Sequence, residues 1–411
     1  MKVSKFKRVF LVVLFLVIVL FLVFINFFDF SNFFVNDNSL NNNLADSNSF
    51  GNSSNDVLID SDIEKKQPVS FNLVATGDIL CHNTQYFDAY NSYNGTYDFN
   101  YVFDDVKKYI EPADIALCSL ETSFAGESIG YSNYPRFNTP DSLASAIKNV
   151  GIDIVSTAGN HCLDYGFSGL SRTIDVLDEN GLLHLGTYKT LDEQSKILYK
   201  VIDDVKIAFL NYTYGTNGIP IPSGKDFCVN LIDKELISSQ INTAKNEGAN
   251  VIVACMHWGT EYSTSSNSEQ ENLADFLFTE GVDIIIGNHP HVIQPFETRE
   301  VTMKDGSIKT CFVSYALGNF TADQNYKNTR NSIILNLSLT YDFENGLKID
   351  EVSYTPIYIY KNSKVGVHKF KLIDINSAIQ EYESGNKSAI STDLYNTLKI
   401  ELENIHSIID N

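Results

Sequence analysis

An α/β fold with largely buried strands is predicted by three features of this 411-residue chain. Short apolar or β-branched runs of strand length occur at residues 71–76, 115–120, 152–157, 206–212, 251–256, 282–286 and 310–316. Segments of helical pattern alternate with them, most clearly at 142–150, 171–180, 234–247 and 269–280. Polar residues capable of chemistry recur just after the strands: Asp78, Glu121, Asn160 with His161, His257, then His289 with His291. Ligands of open α/β sheets bind beyond the carboxyl ends of the strands, so these separated residues are expected to converge on one site.

Taken in order, the chain opens with Lys2, Lys5, Lys7 and Arg8, followed by an apolar run over residues 9–28 broken only by Asn26. At ~1.5 Å per residue that run matches the ~30 Å hydrocarbon core of a bilayer. A cleaved signal peptide competes with this reading, but the run holds no Ala, Gly or Ser to mark a cleavage site. Residues 1–30 are therefore read as a cytoplasmic basic flank and one N-terminal transmembrane helix, an uncleaved anchor with everything after it outside the cell membrane. Residues 31–69 are rich in Asn, Ser and Asp and read as a flexible polar tether. The folded domain is expected at 70–362. Two alternating strands at 333–340 and 348–360 could extend or edge a second sheet, and 363–411 reads as a polar helical tail.

The formal net charge of −21 disfavours nucleic acid as a partner, because that recognition relies on Lys and Arg neutralising phosphate. An anionic substrate would have to be drawn in by metal or by a local basic pocket. Six cysteines in an exported chain allow three disulfides. Buried free thiols are favoured instead, because Cys118 and Cys311 sit inside strand-like runs and a domain of this size needs no staples.

Two segments concentrate the chemistry: Gly159-Asn160-His161-Cys162-Leu163-Asp164 and Gly287-Asn288-His289-Pro290-His291. His-x-His after a strand presents two imidazoles with one facing, and Asn adds a neutral oxygen ligand. Five of the eight histidines, His82, His161, His257, His289 and His291, lie in such segments, which suggests a dinuclear metal site. Plainer roles stand beside each reading. Asp78 could be a helix cap, His82 a cap rather than a possible ligand, Asp164 and Glu261 loop acids, Arg136 a surface residue and Asn319 part of a tight turn.

The motifs ATGDIL, SLET, GNHCLDYG, HWGTEY, GNHPHVIQPFE and YALGNF, in this order, resemble those of the CapA-type poly-gamma-glutamate capsule synthesis family over residues 71–360. That family is similar to the calcineurin-like metallophosphoesterases. The resemblance implies a four-layer α/β/β/α metallophosphoesterase-like sandwich. It implies two divalent metal ions drawn from Mn, Zn, Fe or Mg, with Asp78 and His291 on the first, Glu121 bridging, and Asn160, His257 and His289 on the second. It further implies that His161 protonates a leaving oxygen while Asp164 orients it. From their own sequence context Arg136, Glu261 and Asn319, the last at the rim of the site, are substrate-binding candidates. The pattern departs from the phosphoesterases at Asp78, followed by Ile79-Leu80 instead of x-His, and at Glu121, one methylene longer than the usual Asp.

The function implied is that of a membrane-anchored extracellular protein acting in synthesis, release or attachment of an anionic polymer such as poly-gamma-glutamate, by metal-assisted hydrolysis or transfer. Polymer synthase or export subunits would be its protein partners. The alternatives are a non-enzymatic subunit of a synthesis or export complex, and a surface phosphoesterase or nucleotidase.

Overall fold

The computed structural model describes residues 65–362 and 368–410. The expected anchor, and the tether up to residue 64, lie outside the described residues. Among those described, no helix is long and apolar enough to cross a membrane.

The strands in chain order are β1 (Val69–Ile79), a short hairpin of β2 (Tyr90–Asn91) and β3 (Thr96–Tyr97), β4 (Ile115–Leu120), β5 (Ile154–Ser156) and β6 (Leu183–Leu185). They continue as β7 (Leu198–Ile202), β8 (Val205–Thr213), β9 (Val251–His257), β10 (Ile284–Asn288), β11 (Phe296–Thr302) and β12 (Ile308–Ser314). The last four are β13 (Asn319–Thr321), β14 (Asn331–Asp342), β15 (Gly346–Lys361) and β16 (Phe370–Asp374). Two main sheets result. The first runs β16-β15-β14-β1-β4-β5-β6, with β13 also on β1; the second runs β11-β12-β10-β9-β8-β7.

Strands β1, β4, β5 and β6 pair in parallel, as do β8, β9, β10 and β12. Parallel neighbours need crossover connections, which the sequence supplies as helices. Helices Ser142–Asn149 and Gly166–Glu179 follow β4 and β5, while Lys234–Asn246 and Ser268–Glu280 follow β8 and β9. Asp233 and Asn267 start the latter two by accepting from the amides of Leu236 and Gln270.

Alternation along the strands builds the layers. Leu73 and Ala75 of β1 and Leu117 of β4 meet Phe209, Val253 and Ile284 of the second sheet in one core. On its other face the first sheet packs Val74, Cys118 and Val155 against Leu143, Ile147 and Leu177 of its helices. The second sheet packs Leu210, Ile252 and Ile285 against Ile237, Ile241, Leu277 and Phe278. Helix, sheet, sheet and helix thus stack in the expected α/β/β/α order.

Two elements sit elsewhere than their sequence pattern suggested. Strands β14 and β15 extend the first sheet, not the second, because β14 pairs antiparallel with β1 from Val69↔Tyr341 to Ala75↔Leu335. The polar-looking tail supplies β16 and the helices Ile375–Glu383 and Thr392–Ile409, whose Ile375, Leu394, Leu398 and Ile405 enter the core between the sheets. Their apolar stripe covers one helical face only, so composition hides it. All six cysteines are free, and all but Cys162 are buried.

Candidate metal centre

Each of the six candidate ligands, Asp78, Glu121, Asn160, His257, His289 and His291, is set at or just after the carboxyl end of a strand. Asp78 lies in β1 at a register irregularity, opposite Ser119 of β4 and Asn319 of β13. There the backbones pass so closely that a Cβ on Gly77 would lie 1.8 Å from the Gly318 carbonyl oxygen, a contact only glycine escapes. Glu121 follows β4, its amide donating to the Ile79 carbonyl at 3.0 Å. Asn160 and His161 occupy the turn after β5. His257 ends β9, in register with Asn288 of β10.

His289 and His291 stand in the turn after β10, with φ of 102° and 61°. The period-two argument for His-x-His therefore does not describe them. Two left-handed residues aim the rings, whose centroids lie 5.9 Å apart, and such conformations are costly away from glycine. Three bonds hold the turn: the His289 amide donates to Asp78 Oδ2 at 2.9 Å, the Trp258 amide to the Asn288 carbonyl at 3.1 Å, and the Tyr262 amide to the Pro290 carbonyl at 2.8 Å.

The centre draws on both sheets: Asp78, Glu121 and Asn160 from the first, His257, His289 and His291 from the second. Donor atoms of Glu121, His257 and His289 lie within 4.8 Å of one another, as do those of Asp78, Glu121 and His291, and those of Glu261, His289 and His291. Glu121 belongs to two of these sets. His257 Nε2 is 3.0 Å from Asn160 Oδ1 and 3.7 Å from Glu121 Oε1. Donors sharing one ion at ~2.1 Å bonds stand about 3.0–3.4 Å apart, so the first distance suits a common ion and the second is slightly long for one.

Burial dominates the electrostatics. It pushes Asp78 up to about 7, against the lowering bonds from the His289 amide and Ser119 hydroxyl. It lifts Glu121 well above the usual carboxylate range, with the Asp78 charge adding to the effect. It holds His257 well below the usual imidazole range, His289 down to about 3 and His291 down to about 4. Both Glu121 oxygens, Asp78 Oδ1, His257 Nδ1 and His289 Nδ1 are buried without a hydrogen-bond partner. Buried polar atoms are ordinarily satisfied, and a set of unpaired acceptors facing one another is what a cation would compensate.

Around this cluster stand the supporting residues. Asn319 is fully buried, and its amide nitrogen donates to the carbonyls of His291 and Thr329 and to Gln324. Its oxygen is thereby aimed at His291 Nδ1, 3.1 Å away, which makes Nδ1 the donor and leaves Nε2 with its lone pair. Asn319 acts on a histidine from behind, not at a rim. His161 Nδ1 lies 2.8 Å from Asp164 Oδ2, which also accepts from the Phe137 amide at 2.7 Å. His161 Nε2 is 3.3 Å from Asn217 Nδ2, while Asn217 Oδ1 accepts from Asn160 Nδ2 at 3.2 Å.

Two candidates stand apart. His82 precedes the helix Asn83–Ala89, its Nδ1 accepting from the Asp323 amide at 3.1 Å, and it joins none of the three donor sets. Arg136 is exposed, in the loop that brings Phe137 edge-on to the His161 ring. Glu261 is also exposed, yet it groups with His289 and His291. Sequence reasoning missed Asn217 and Tyr214, whose ring lies 4.6 Å from His289 and parallel to His257. Both follow β8, so the strand-end rule that found the others would have reached them.

Fold and centre together define an α/β protein with two sheets packed face to face and a buried carboxylate and imidazole cluster across their carboxyl ends. The chain belongs to the family described as Bacterial capsule synthesis protein PGA_cap, which it matches over residues 72–324. It is 30% identical over 283 residues to the PGA biosynthesis protein CapA of Bacillus subtilis (strain 168), spanning 66% of this chain and 69% of that one. It is 27% identical over 322 residues to the capsule biosynthesis protein CapA of Bacillus anthracis, spanning 76% and 74%. Among solved structures, the Haemophilus influenzae NAD nucleotidase aligns with a TM-score of 0.44 at 15% identity, covering 83% of this chain and 61% of that one.

Proposed function

We propose that this protein acts in the synthesis, release or surface attachment of poly-gamma-glutamate, as an outward-facing membrane-anchored protein whose centre holds two divalent metal ions and serves hydrolysis or group transfer. Family membership supports the polymer, and the basic flank with its apolar run supports the anchor. One observation carries the metal reading: Glu121 is fully buried, has no hydrogen-bond partner on either oxygen, and lies in two donor sets at once. An uncompensated buried carboxylate costs several kcal/mol by itself, roughly the penalty a cation would remove.

Glu121, His257 and His289, with Asn160 Oδ1, would hold one ion; Asp78, Glu121 and His291 would hold the other. Ions bound there would polarise the scissile group and activate water. The chain's own residues do the rest. Asp164 fixes the His161 ring through Nδ1, leaving Nε2 to carry a proton to the leaving atom. Asn217 Oδ1 accepts from the proposed ligand Asn160, and its Nδ2 faces that nitrogen as a donor that can bond it once the proton has left, so acid and metal site keep one geometry.

The test combines metal analysis of the purified full-length protein with polymer yield in the host lacking its own copy. Two equivalents of metal, and lost polymer in a normally expressed His161→Ala strain, are expected. Wild-type polymer yield in that strain would favour the non-enzymatic role. A soluble mature form beginning after residue 28 would overturn the anchor.

A further inference from the structure

We propose that Glu261 is itself a metal ligand, the solvent-side and exchangeable donor that closes the coordination of the ion held by Asp78, Glu121 and His291. The assignment rests on the two-metal reading above and adds a residue to it.

Three observations carry it. First, a Glu261 oxygen lies within 4.8 Å of ring nitrogens of both His289 and His291, which themselves meet that limit. Secondly, the placement is built. The segment after β9 is laced to the His289–His291 turn by the Trp258 amide on the Asn288 carbonyl and the Tyr262 amide on the Pro290 carbonyl. Tyr262 is left-handed, at φ 65°, and its ring sits 5.9 Å from His291 and 4.3 Å from Tyr326. A strained residue pinned on both sides holds its neighbour Glu261 over the two histidines.

Thirdly, the donors are unevenly divided. The Glu121, His257 and His289 set gains a fourth donor in Asn160 Oδ1, whereas Asp78, Glu121 and His291 offer three with a single nitrogen. Four donors are the usual minimum for an ion of this kind, and Glu261, grouped with His291, is a carboxylate in reach of the set that falls short. Every other charged donor of the centre is buried, while Glu261 is exposed. Its carboxylate can therefore leave the ion for water at little cost, and an anionic group of a substrate can take its place.

The experiment measures uptake of Mn2+ and of Co2+, with the Co2+ visible spectrum, by full-length wild type and Glu261→Gln. Wild type should take up two equivalents. Glu261→Gln should bind one with wild-type affinity and the other about 10–100-fold more weakly, with a changed Co2+ spectrum. Its metal-free melting temperature should not move, because the residue is exposed. Two equivalents of unchanged affinity and spectrum in the variant would overturn the assignment and leave the two-metal reading standing. Fewer than two equivalents in wild type would overturn both.

Discussion

Asp78 Oδ2 accepts a hydrogen bond from the backbone amide of His289 at 2.9 Å, joining the first strand of one sheet to the turn that follows β10 of the other. The same carboxylate keeps its second oxygen buried and unpartnered, and burial raises it to about 7. Above that pH the metal-free protein holds an uncompensated charge at the seam between its sheets. Asn at this position keeps an oxygen for the His289 amide and removes the charge. Metal-free Asp78→Asn should therefore exceed metal-free wild type in stability at pH 8 by about 1–3 kcal/mol, and lose most of the stabilisation that metal confers. Calorimetric melting with and without chelator checks both halves, and a metal-free variant less stable than wild type would show that the site is not strained by charge.

The directions of the shifts fix a pH dependence. Asp78 is raised from 3.8 to about 7, so its contribution to metal-free stability is present at low pH and lost as pH rises through 7. His289 and His291 are lowered from 6.5 to about 3 and about 4, so their contribution is present above 6.5 and lost as pH falls toward those values. The metal-free protein should be most stable near about pH 6–7. Metal must displace protons from Asp78 and Glu121 but not from the imidazoles, which are already neutral at pH 5. Affinity should rise from pH 5 to pH 8 with proton release, read by titration calorimetry in buffers of different ionisation enthalpy. Binding at pH 6 without proton release would contradict the assignment of these carboxylates.

How far the sequence could be read follows from burial. Residues 115–120 and 251–256 coincide with β4 and β9 to within a residue, because strands buried on both faces are continuous apolar runs. Edge strands β7 and β11 hold no fully buried residue and carry no such signal. At the centre, motif residues announced themselves by type: few structural roles need Asn-His or His-x-His after a strand. Asn217 and Tyr214 carry no motif; their place after β8 made them reachable by the strand-end rule, while the fold shows that their loop meets His161 and His289. Asn319 was legible as polar and special, but its role depends on donating one amide three ways, which no spacing reveals.

Leu398 lies fully buried in the helix Thr392–Ile409, in the core shared by both sheets. Removing its side chain leaves a cavity that neighbours from β14 and β15 cannot collapse into without breaking register. Leu398→Ala should cost about 2–5 kcal/mol in denaturant unfolding while leaving metal content unchanged in the folded fraction. A cost below about 1 kcal/mol would mean that the helix docks loosely and the core closes without it.

The roles proposed for His161 and His289, acid and ligand, can be told apart by substitution. His289 lies in two donor sets, its ring beside His257 with centroids 4.8 Å apart, whereas His161 lies in none and engages Asp164 and Asn217 instead. His289→Ala should lose metal and with it the stabilisation that binding lends the native state. His161→Ala should retain both metal and melting temperature yet lower the turnover of the proposed hydrolysis or transfer by about 10²–10⁴-fold, the usual contribution of a positioned acid. Asp164→Asn should fall between, because it keeps an oxygen for the Phe137 amide but no longer charges the partner that orients the ring. Metal content, melting and turnover measured on the three variants decide the matter: if His161→Ala loses metal as readily as His289→Ala does, the two histidines share one role and His161 is not the acid.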